Sequence, residues 1–190
     1  KPMFREEVMP RLRSLAGVDA DHQIRVLRFT GIGESDFHDS LDQKLNAIEG
    51  LETGYCARPA EVDLRLIGNA AAVNAAADLA EATFPEQCFS RADEDLEVVV
   101  VRLLTEQDKK LALAESCTGG LVAALLTDIE GCSHAFERGF VSYTDQSTHQ
   151  LLGVDRALLN ACGAVSRPVA IKMAEGAMAR SGAQIAVSTT

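Results

Sequence analysis

The stretch LALAESCTGGLVAALLTDI, residues 111–129, decides the fold of the second half of this 190-residue chain. It opens with a short apolar run, passes through small polar residues and two glycines, and continues with the apolar spacing of a helix. This pattern is typical of a buried strand at 111–115 that turns into a helix at 119–129. Because α/β proteins bind ligands beyond the carboxyl ends of parallel strands, the turn at 116–120 is the first candidate for a site.

Strands and helices are predicted to alternate on both sides of this stretch. A helix over about 94–107 precedes it. The segments that follow read as a strand at 139–143, helices at 145–152 and 155–161, a strand at 163–166, a helix at 168–181 after Pro168, and a strand at 184–189. Such alternation predicts a three-layer α/β domain with a parallel or mixed sheet.

The first half of the chain has a different order. We predict strands at 24–29, 51–57 and 61–68, an edge strand at 87–89, and helices at 36–47 and 70–83, the second capped by Asn69. The order β-α-β-β-α-β is typical of a split βαβ, ferredoxin-like module. Residues 3–15 have helical spacing that Pro10 interrupts. The best boundary between the two halves lies at 90–94.

Composition limits the classes of function. The chain has a net charge of −10, and residues 1–92 carry 10 Lys and Arg against 15 Asp and Glu, which leaves −5 in each part. This balance disfavours nonspecific nucleic-acid binding. The five cysteines form no CxxC pair and the four histidines have no ligand spacing, so we expect reduced thiols in a cytoplasmic protein, with no metal and no cofactor. We also expect neither a signal peptide nor a membrane-spanning run.

The residues of the turn allow two interpretations. Ser116 or Thr118 could simply cap the following helix. Alternatively, a hydroxyl could act as a nucleophile while free amide groups at the helix N-terminus bind an anion. Cys117 is a weaker candidate for the nucleophile, because no basic neighbour in the sequence would lower its pKa. A second glycine-containing turn, GIGES at 31–35, lacks the third glycine of a dinucleotide fingerprint, and we read it as a turn and helix start.

Four blocks of the second half resemble a known family. AESCTGGLVAALLTDIEGCS, FERGFVSYTDQSTHQLLGV, GAVSRPVAIKMAEGA and IAVSTT, in that order, are similar to the C-terminal amidase domain of the CinA (competence/damage-inducible) family. RFTGIGESDFHDSL and EVDLRLIG resemble the KH-like module that precedes it. The resemblance implies three parts: residues 1–20 as the end of a molybdopterin-binding-like domain, 21–92 as the KH-like module, and 93–190 as an amidase-like domain that is incomplete at its C-terminus.

The resemblance also implies an activity, the hydrolysis of nicotinamide mononucleotide to nicotinate mononucleotide and ammonia. Ser116 would be the nucleophile and Tyr143 would orient the substrate or assist proton transfer. Thr118, Gly119 and Gly120 would cradle the phosphate or the oxyanion, and Thr190 would complete the pocket. Thr148 would be a further substrate-binding residue.

One position departs from the family pattern. The family usually places a lysine, the base that activates the serine, five residues after the tyrosine, where this chain has Thr148. A threonine hydroxyl is not basic near neutral pH. We expect His149, about 100° further around a helix, to point elsewhere, and Lys172 to be a solvated surface residue. The sequence therefore predicts a weak or inactive amidase, unless the fold brings His149 or Lys172 within reach of Ser116.

The alternative is a nucleotide-binding CinA protein with a degenerate amidase site, whose ADP-ribose pyrophosphatase activity would lie in a preceding domain. A nucleic-acid-associated competence factor is a third reading, which the acidic balance disfavours. The partners expected are a small nucleotide substrate and a second copy of the chain in a homodimer or other homo-oligomer, with neither membrane nor nucleic acid.

Overall fold

The computed structural model describes residues 3–16 and 22–190. The chain divides into two compact units: the first ends at Glu94 and the second begins at Asp95. The expectation that residues 1–20 end a preceding domain falls partly outside the described residues.

The first helical segment changes its hydrogen-bonding pattern beside Pro10. A π-helical turn, Phe4–Val8, leads into α1, Met9–Ala16, and the amide of Met9 donates to the carbonyl of Phe4. Pro10 is the second residue of α1 and has no N–H group to donate to the preceding turn. Helical structure therefore continues across Pro10, so the broken helix predicted there does not form.

A four-stranded antiparallel sheet forms the rest of the first unit. Its elements are β1 (His22–Thr30), α2 (Glu34–Leu45), β2 (Leu51–Arg58), β3 (Glu61–Asn69), α3 (Ala70–Thr83) and β4 (Cys88–Ser90). The strand order is β2-β3-β1-β4 with every neighbouring pair antiparallel, which is the topology of the predicted ferredoxin-like module.

One face of this sheet packs against its two helices. Leu64 and Leu66 of β3 are fully buried, as are Phe37 and Leu41 of α2, so the alternation and the helical face read from the sequence are both confirmed. The side chain of Asn69 accepts a hydrogen bond from the amide of Ala72 at 2.9 Å, which confirms the predicted cap of α3. The GIGES segment forms the predicted turn, and α2 begins within it at Glu34.

The second unit is a three-stranded parallel sheet between helices. Its elements are α4 (Leu96–Glu106), β5 (Leu111–Glu115), α5 (Leu121–Thr127), a 3-10 turn (Cys132–His134), β6 (Phe136–Val141), α6 (Asp145–Leu152), α7 (Arg156–Cys162), α8 (Arg167–Ser181) and β7 (Ile185–Thr189). The strand order is β6-β5-β7, with β5 in the centre and both pairings parallel.

The central strand separates two apolar layers. Ala112 and Ala114 pack in one cluster with residues of α7 and α8, whereas Leu111 and Leu113 pack in another with residues of α4 and α5. All five residues of β5 are buried. This arrangement confirms the predicted three-layer α/β class.

Three predictions about the elements that flank the site are wrong. Helix α5 begins at Leu121 rather than at 119, because Gly119 and Gly120 adopt positive φ angles that an α-helix does not allow. Strand β6 ends at Val141 instead of running over 139–143. The strand predicted at 163–166 does not form; Gly163 has a φ of +75° and the chain bends there before α8.

Candidate active site at the carboxyl edge of the second sheet

The loop at 116–120 follows the central strand directly, as the sequence predicted. β5 ends with Glu115, and the amide of Ser116 donates to the carbonyl of Thr189 at 3.0 Å. The end of β7 therefore holds the start of the loop. Ser116 is partly buried, and its hydroxyl has no hydrogen-bond partner among the described residues, whereas Cys117 is exposed.

A buried carboxylate organises this loop. Glu115 is only 1% exposed, and its side chain accepts four hydrogen bonds. The hydroxyl of Thr118 donates to it at 2.7 Å, and the amides of Gly120, Val122 and Ala123 donate at 3.1, 3.0 and 2.8 Å. Glu115 thus caps α5 from the preceding strand and satisfies amides that the helix cannot satisfy itself.

These contacts decide the charge of Glu115. Desolvation by burial raises its pKa, but the hydrogen bonds from Thr118 and from the amides of Ala123, Val122 and Gly120 outweigh that effect. The pKa of Glu115 consequently lies below its ordinary value, and the group is ionised at neutral pH. A fixed negative charge sits at the N-terminus of α5.

This finding corrects part of the sequence interpretation. We expected free amides and the dipole of the following helix to bind an anion, with Gly119 and Gly120 in the cradle. Instead, the amide of Gly120 donates to Glu115 and that of Gly119 donates to the carbonyl of Ser116 at 3.0 Å. Within the described chain, the loop amides that lack an acceptor are those of Cys117 and Thr118.

Two threonines link the loop to β7 a second time. The hydroxyls of Thr118 and Thr189 are 2.7 Å apart. Because Thr118 gives its hydrogen to the Glu115 carboxylate, the hydroxyl of Thr189 is the donor in this pair. The roles proposed for Thr118 must therefore allow for a side chain that is already hydrogen-bonded.

The other predicted residues also follow strands of this sheet. Tyr143 lies two residues beyond the end of β6 and is 79% exposed. Thr190 follows β7, and its hydroxyl donates to the carbonyl of Ala164 at 2.9 Å. The structure places both at the carboxyl ends of strands, but no hydrogen bond among the described residues joins either side chain to Ser116.

The residue in place of the family lysine is buried. Thr148 lies in α6, and its hydroxyl donates to that of Ser142 at 3.3 Å. The amide of Ser142 in turn donates to the carbonyl of Glu115 at 2.8 Å. Thr148 is therefore linked through Ser142 to Glu115, the residue that precedes the proposed nucleophile.

Neither substitute base contacts Ser116. The Nδ1 atom of His149 lies 2.7 Å from the carbonyl oxygen of Val154, just beyond its own helix. Lys172 is exposed and pairs with Glu175 at 2.7 Å along α8. The expectations that His149 points elsewhere and that Lys172 lies on a solvated face are confirmed.

Sequence reasoning missed Glu115, Ser142 and Thr189. A signal for Glu115 was present, because an acid at the end of an otherwise apolar strand, directly before a helix N-terminus, has few ways to be satisfied except by that helix. Ser142 was missed because the sequence placed the end of β6 at residue 143, and Thr189 was missed because the end of β7 was assigned no role. Within residues 3–16 and 22–190, no group of three His, Cys, Asp or Glu side chains could hold a metal ion. The helices of that part are also too short or too polar to cross a membrane.

Each of the two units matches a model of a known protein family. Residues 93–190 match the family model described as the CinA C-terminal domain, and residues 24–86 match the model described as the damage-inducible protein CinA KH domain. A CinA-like protein of Akkermansia muciniphila is 46% identical over 190 residues, which cover 100% of this chain and 46% of that protein. A CinA-like protein of Chlorobium limicola is 42% identical over 86% of this chain and 40% of its own length.

Solved structures show similarity to part of the chain. The competence/damage-inducible protein CihA of Agrobacterium tumefaciens is 44% identical, covering 49% of this chain and 56% of its own, with a TM-score of 0.48. A CinA superfamily protein of Escherichia coli is 34% identical over 53% of this chain and 61% of its own, with a TM-score of 0.49. The chain spans about half the length of the curated relatives that it matches.

Proposed function

The chain belongs to the CinA family, and on that premise we propose that its second unit hydrolyses the carboxamide of nicotinamide mononucleotide to nicotinate mononucleotide and ammonia. The observation that carries this proposal is the Ser116 loop. A serine whose hydroxyl has no hydrogen-bond partner in the described part of the chain stands at the carboxyl end of the central parallel strand, on a loop that Glu115 and Thr189 hold in place.

In this mechanism the Ser116 oxygen attacks the carboxamide carbon and forms a tetrahedral intermediate. The negative charge that develops on the carbonyl oxygen is stabilised by the amides of Cys117 and Thr118, which lack other acceptors in the described chain. Collapse of the intermediate breaks the C–N bond, and the nitrogen leaves as ammonia after taking up a proton. Water then hydrolyses the acyl-enzyme and restores the serine.

The remaining residues have supporting roles in the proposal. Tyr143, exposed beyond β6, orients the substrate or assists proton transfer. Thr190 contributes to the wall of the pocket, and the backbone of Gly119 and Gly120 gives the loop its turn. Thr118 contributes its amide, because its hydroxyl is held by Glu115.

Removal of the hydroxyl proton of Ser116 is the step of this mechanism that has the least support. Thr148 cannot accept it, and neither His149 nor Lys172 contacts the serine. Loss of a general base typically slows a reaction by about 10²–10⁴-fold. We therefore expect a slow amidase.

The test is release of ammonia and nicotinate mononucleotide by the purified chain. A slow rate that Ser116→Ala abolishes and Cys117→Ser retains would support the proposal. A rate that is the same for wild type and Ser116→Ala would reject Ser116 as the nucleophile.

One observation favours a second candidate. The position of the family lysine is occupied by a buried, hydrogen-bonded threonine, which fits a site that binds a nucleotide without turning it over. In that case the catalytic activity of the protein, an ADP-ribose pyrophosphatase in the family, lies in the domain that the resemblance places before this segment. Saturable binding of nicotinamide mononucleotide, with no ammonia released over hours, would favour this candidate over the amidase.

A further inference from the structure

The face of the first sheet that points away from α2 and α3 carries charged side chains. In β3, Asp63 and Arg65 alternate with Leu64 and Leu66, which pack against the helices, so both charged side chains lie on the opposite face. A cleft of about 410 Å³ opens on this face. The charged members of its lining all belong to the first unit and are Arg28, Arg58, Arg65, Asp63 and Asp93.

A carboxylate of the chain itself occupies part of this cleft. The Nε and Nη2 atoms of Arg28 lie 2.9 and 2.8 Å from the Oδ1 atom of Asp93. The side chain of Arg28 is only 8% exposed, whereas that of Asp93 is 57% exposed. Asp93 therefore covers a buried guanidinium from the solvent side, as a bound anion would. Its φ of +57° lies in the left-handed region that most residues avoid, so the ion pair helps to hold a backbone conformation that costs free energy.

Arg65 is the cation of the cleft that has no acid of its own. The other two arginines each pair with an aspartate of the cleft, whereas Arg65 makes neither a hydrogen bond nor an ion pair with the described residues. In the register of the sheet Arg65 lies opposite Val26 of β1, which makes Arg28 its diagonal neighbour on the same face, at roughly 7 Å between the two Cα atoms. The two long side chains can therefore reach the same ligand.

We propose that this cleft binds a small phosphate-bearing ligand through Arg28 and Arg65, and that Asp93 is an internal competitor for the same site. A free carboxylate gains little there, because tethering gives the Asp93 carboxylate an effective concentration in about the millimolar range. A phosphate group carries more charge, and one that bridges both guanidinium groups forms charge-assisted hydrogen bonds that Asp93 does not make. The inference concerns the first unit and does not depend on the amidase proposed for the second.

The chemistry of the cleft favours a small ligand over a nucleic-acid strand. The chain carries a net charge of −10, which repels the phosphate backbone of an extended strand. A compact anion needs only the local pair of guanidinium groups.

The experiment titrates inorganic pyrophosphate into the purified chain in a calorimeter. Arg65→Gln removes a cation that holds the ligand and should weaken binding by about tenfold or more. Asp93→Asn removes the charge of the competitor and should tighten binding by about fivefold or more. Because a gain in affinity cannot come from loss of folding, the second variant tests the inference even if the first is destabilised.

Two control variants match these changes away from the cleft. Arg25→Gln removes an arginine of β1 that lies opposite Leu66, on the helix-facing side of the same sheet. Asp78→Asn removes an acid that pairs with Arg91 at 2.7 Å and changes the net charge as much as Asp93→Asn does. Both controls should leave the affinity for pyrophosphate unchanged. Tightening by Asp78→Asn as large as that by Asp93→Asn would assign the gain to overall charge and overturn the competition.

A short single-stranded DNA oligonucleotide distinguishes the two sources of a phosphate group. The expected result is Arg65-dependent binding of pyrophosphate without binding of the oligonucleotide. Oligonucleotide binding that depends on Arg65, without binding of pyrophosphate, would reject the small ligand. Absence of pyrophosphate binding in both wild type and Asp93→Asn, or binding that Arg65→Gln does not weaken, would overturn the site itself.

Discussion

Ser116 donates its backbone amide hydrogen to the carbonyl oxygen of Thr189 across 3.0 Å, which joins the start of the proposed nucleophile loop to the end of the last strand described. Thr189 makes a second link through its hydroxyl, 2.7 Å from that of Thr118. The loop is thus fixed from two sides, by β7 and by the Glu115 carboxylate. All of these contacts lie within the protein, so the loop can be held in this way without a ligand.

Replacing Glu115 should destabilise the second unit. In Glu115→Gln an NH₂ group takes the place of one acceptor oxygen and faces amide donors, at a cost of about 2–3 kcal/mol. Hydrogen exchange read by mass spectrometry should show loss of protection in α5. Glu130→Gln, at an exposed site after α5, is the matched control and should change little. Equal protection of α5 in both variants would show that the carboxylate contributes no stability.

The stability of the second unit should depend on pH through Glu115. Its pKa is lowered in the folded state from an ordinary value of 4.5, so the stabilisation is present above about pH 4.5. It is lost as the pH falls below that value through the folded-state pKa. Chemical denaturation at pH 6 and pH 3 measures this change. Wild type should lose more stability than Glu115→Gln over the interval, and equal losses would assign the effect to other groups.

A lysine at position 148 should speed the amidase. Thr148 is buried, and burial lowers the pKa of a lysine, which increases the fraction of neutral amine that can accept the proton of Ser116. We expect Thr148→Lys to raise the rate of ammonia release by about 10²-fold or more. Gln150→Lys, which places the same side chain on an exposed position of α6, should leave the rate unchanged. An unchanged rate in the folded Thr148→Lys variant would contradict the assigned role of this position.

Alanine at Gly120 should distort the loop more than alanine at Gly119. Gly120 has a φ of +99°, outside the left-handed region that other residues can reach, and an added Cβ would lie 3.4 Å from Val141. Gly119 has a φ of +60° and open space around it. We expect losses of about 2–3 kcal/mol and about 1 kcal/mol, respectively. Thermal denaturation of the two variants makes the comparison, and an equal loss would argue that the loop adapts.

In the first unit, alanine substitutions at the cap of α3 and inside the helix should change its stability in opposite directions. Asn69→Ala removes the acceptor for the amide of Ala72 and should cost about 1 kcal/mol. Asn74→Ala, at an exposed position inside the same helix, should stabilise it slightly, because alanine has the higher helix propensity. Hydrogen exchange of α3 would report both changes. Loss of protection in Asn74→Ala as large as in Asn69→Ala would count against the cap.

The sequence predicts the strands and helices of both units well where the spacing of apolar residues matches the face that the structure buries. The alternation of Leu64 and Leu66 and the helical spacing of Phe37 and Leu41 identify the buried face of the first unit. Residues two apart lie on the same face of a strand, and residues three or four apart lie on the same face of a helix. The wholly apolar start of β5 likewise identifies a strand covered on both faces.

What the sequence could not provide is the pairing between distant segments. The extent of β6 follows from its register, in which Phe136 lies opposite Leu111, and no local pattern encodes that register. The partners of Glu115 depend on where the turn places the amides of α5, and that in turn depends on two glycines with positive φ.

The order of strands in the second sheet also sets when the site can exist. β7 is synthesised after the other described strands, yet it provides the carbonyl that holds the amide of Ser116. A nascent chain therefore carries the Ser116 loop before the strand that anchors it is made, and the loop is held from both sides only after β7 has joined the sheet, not when the turn itself folds.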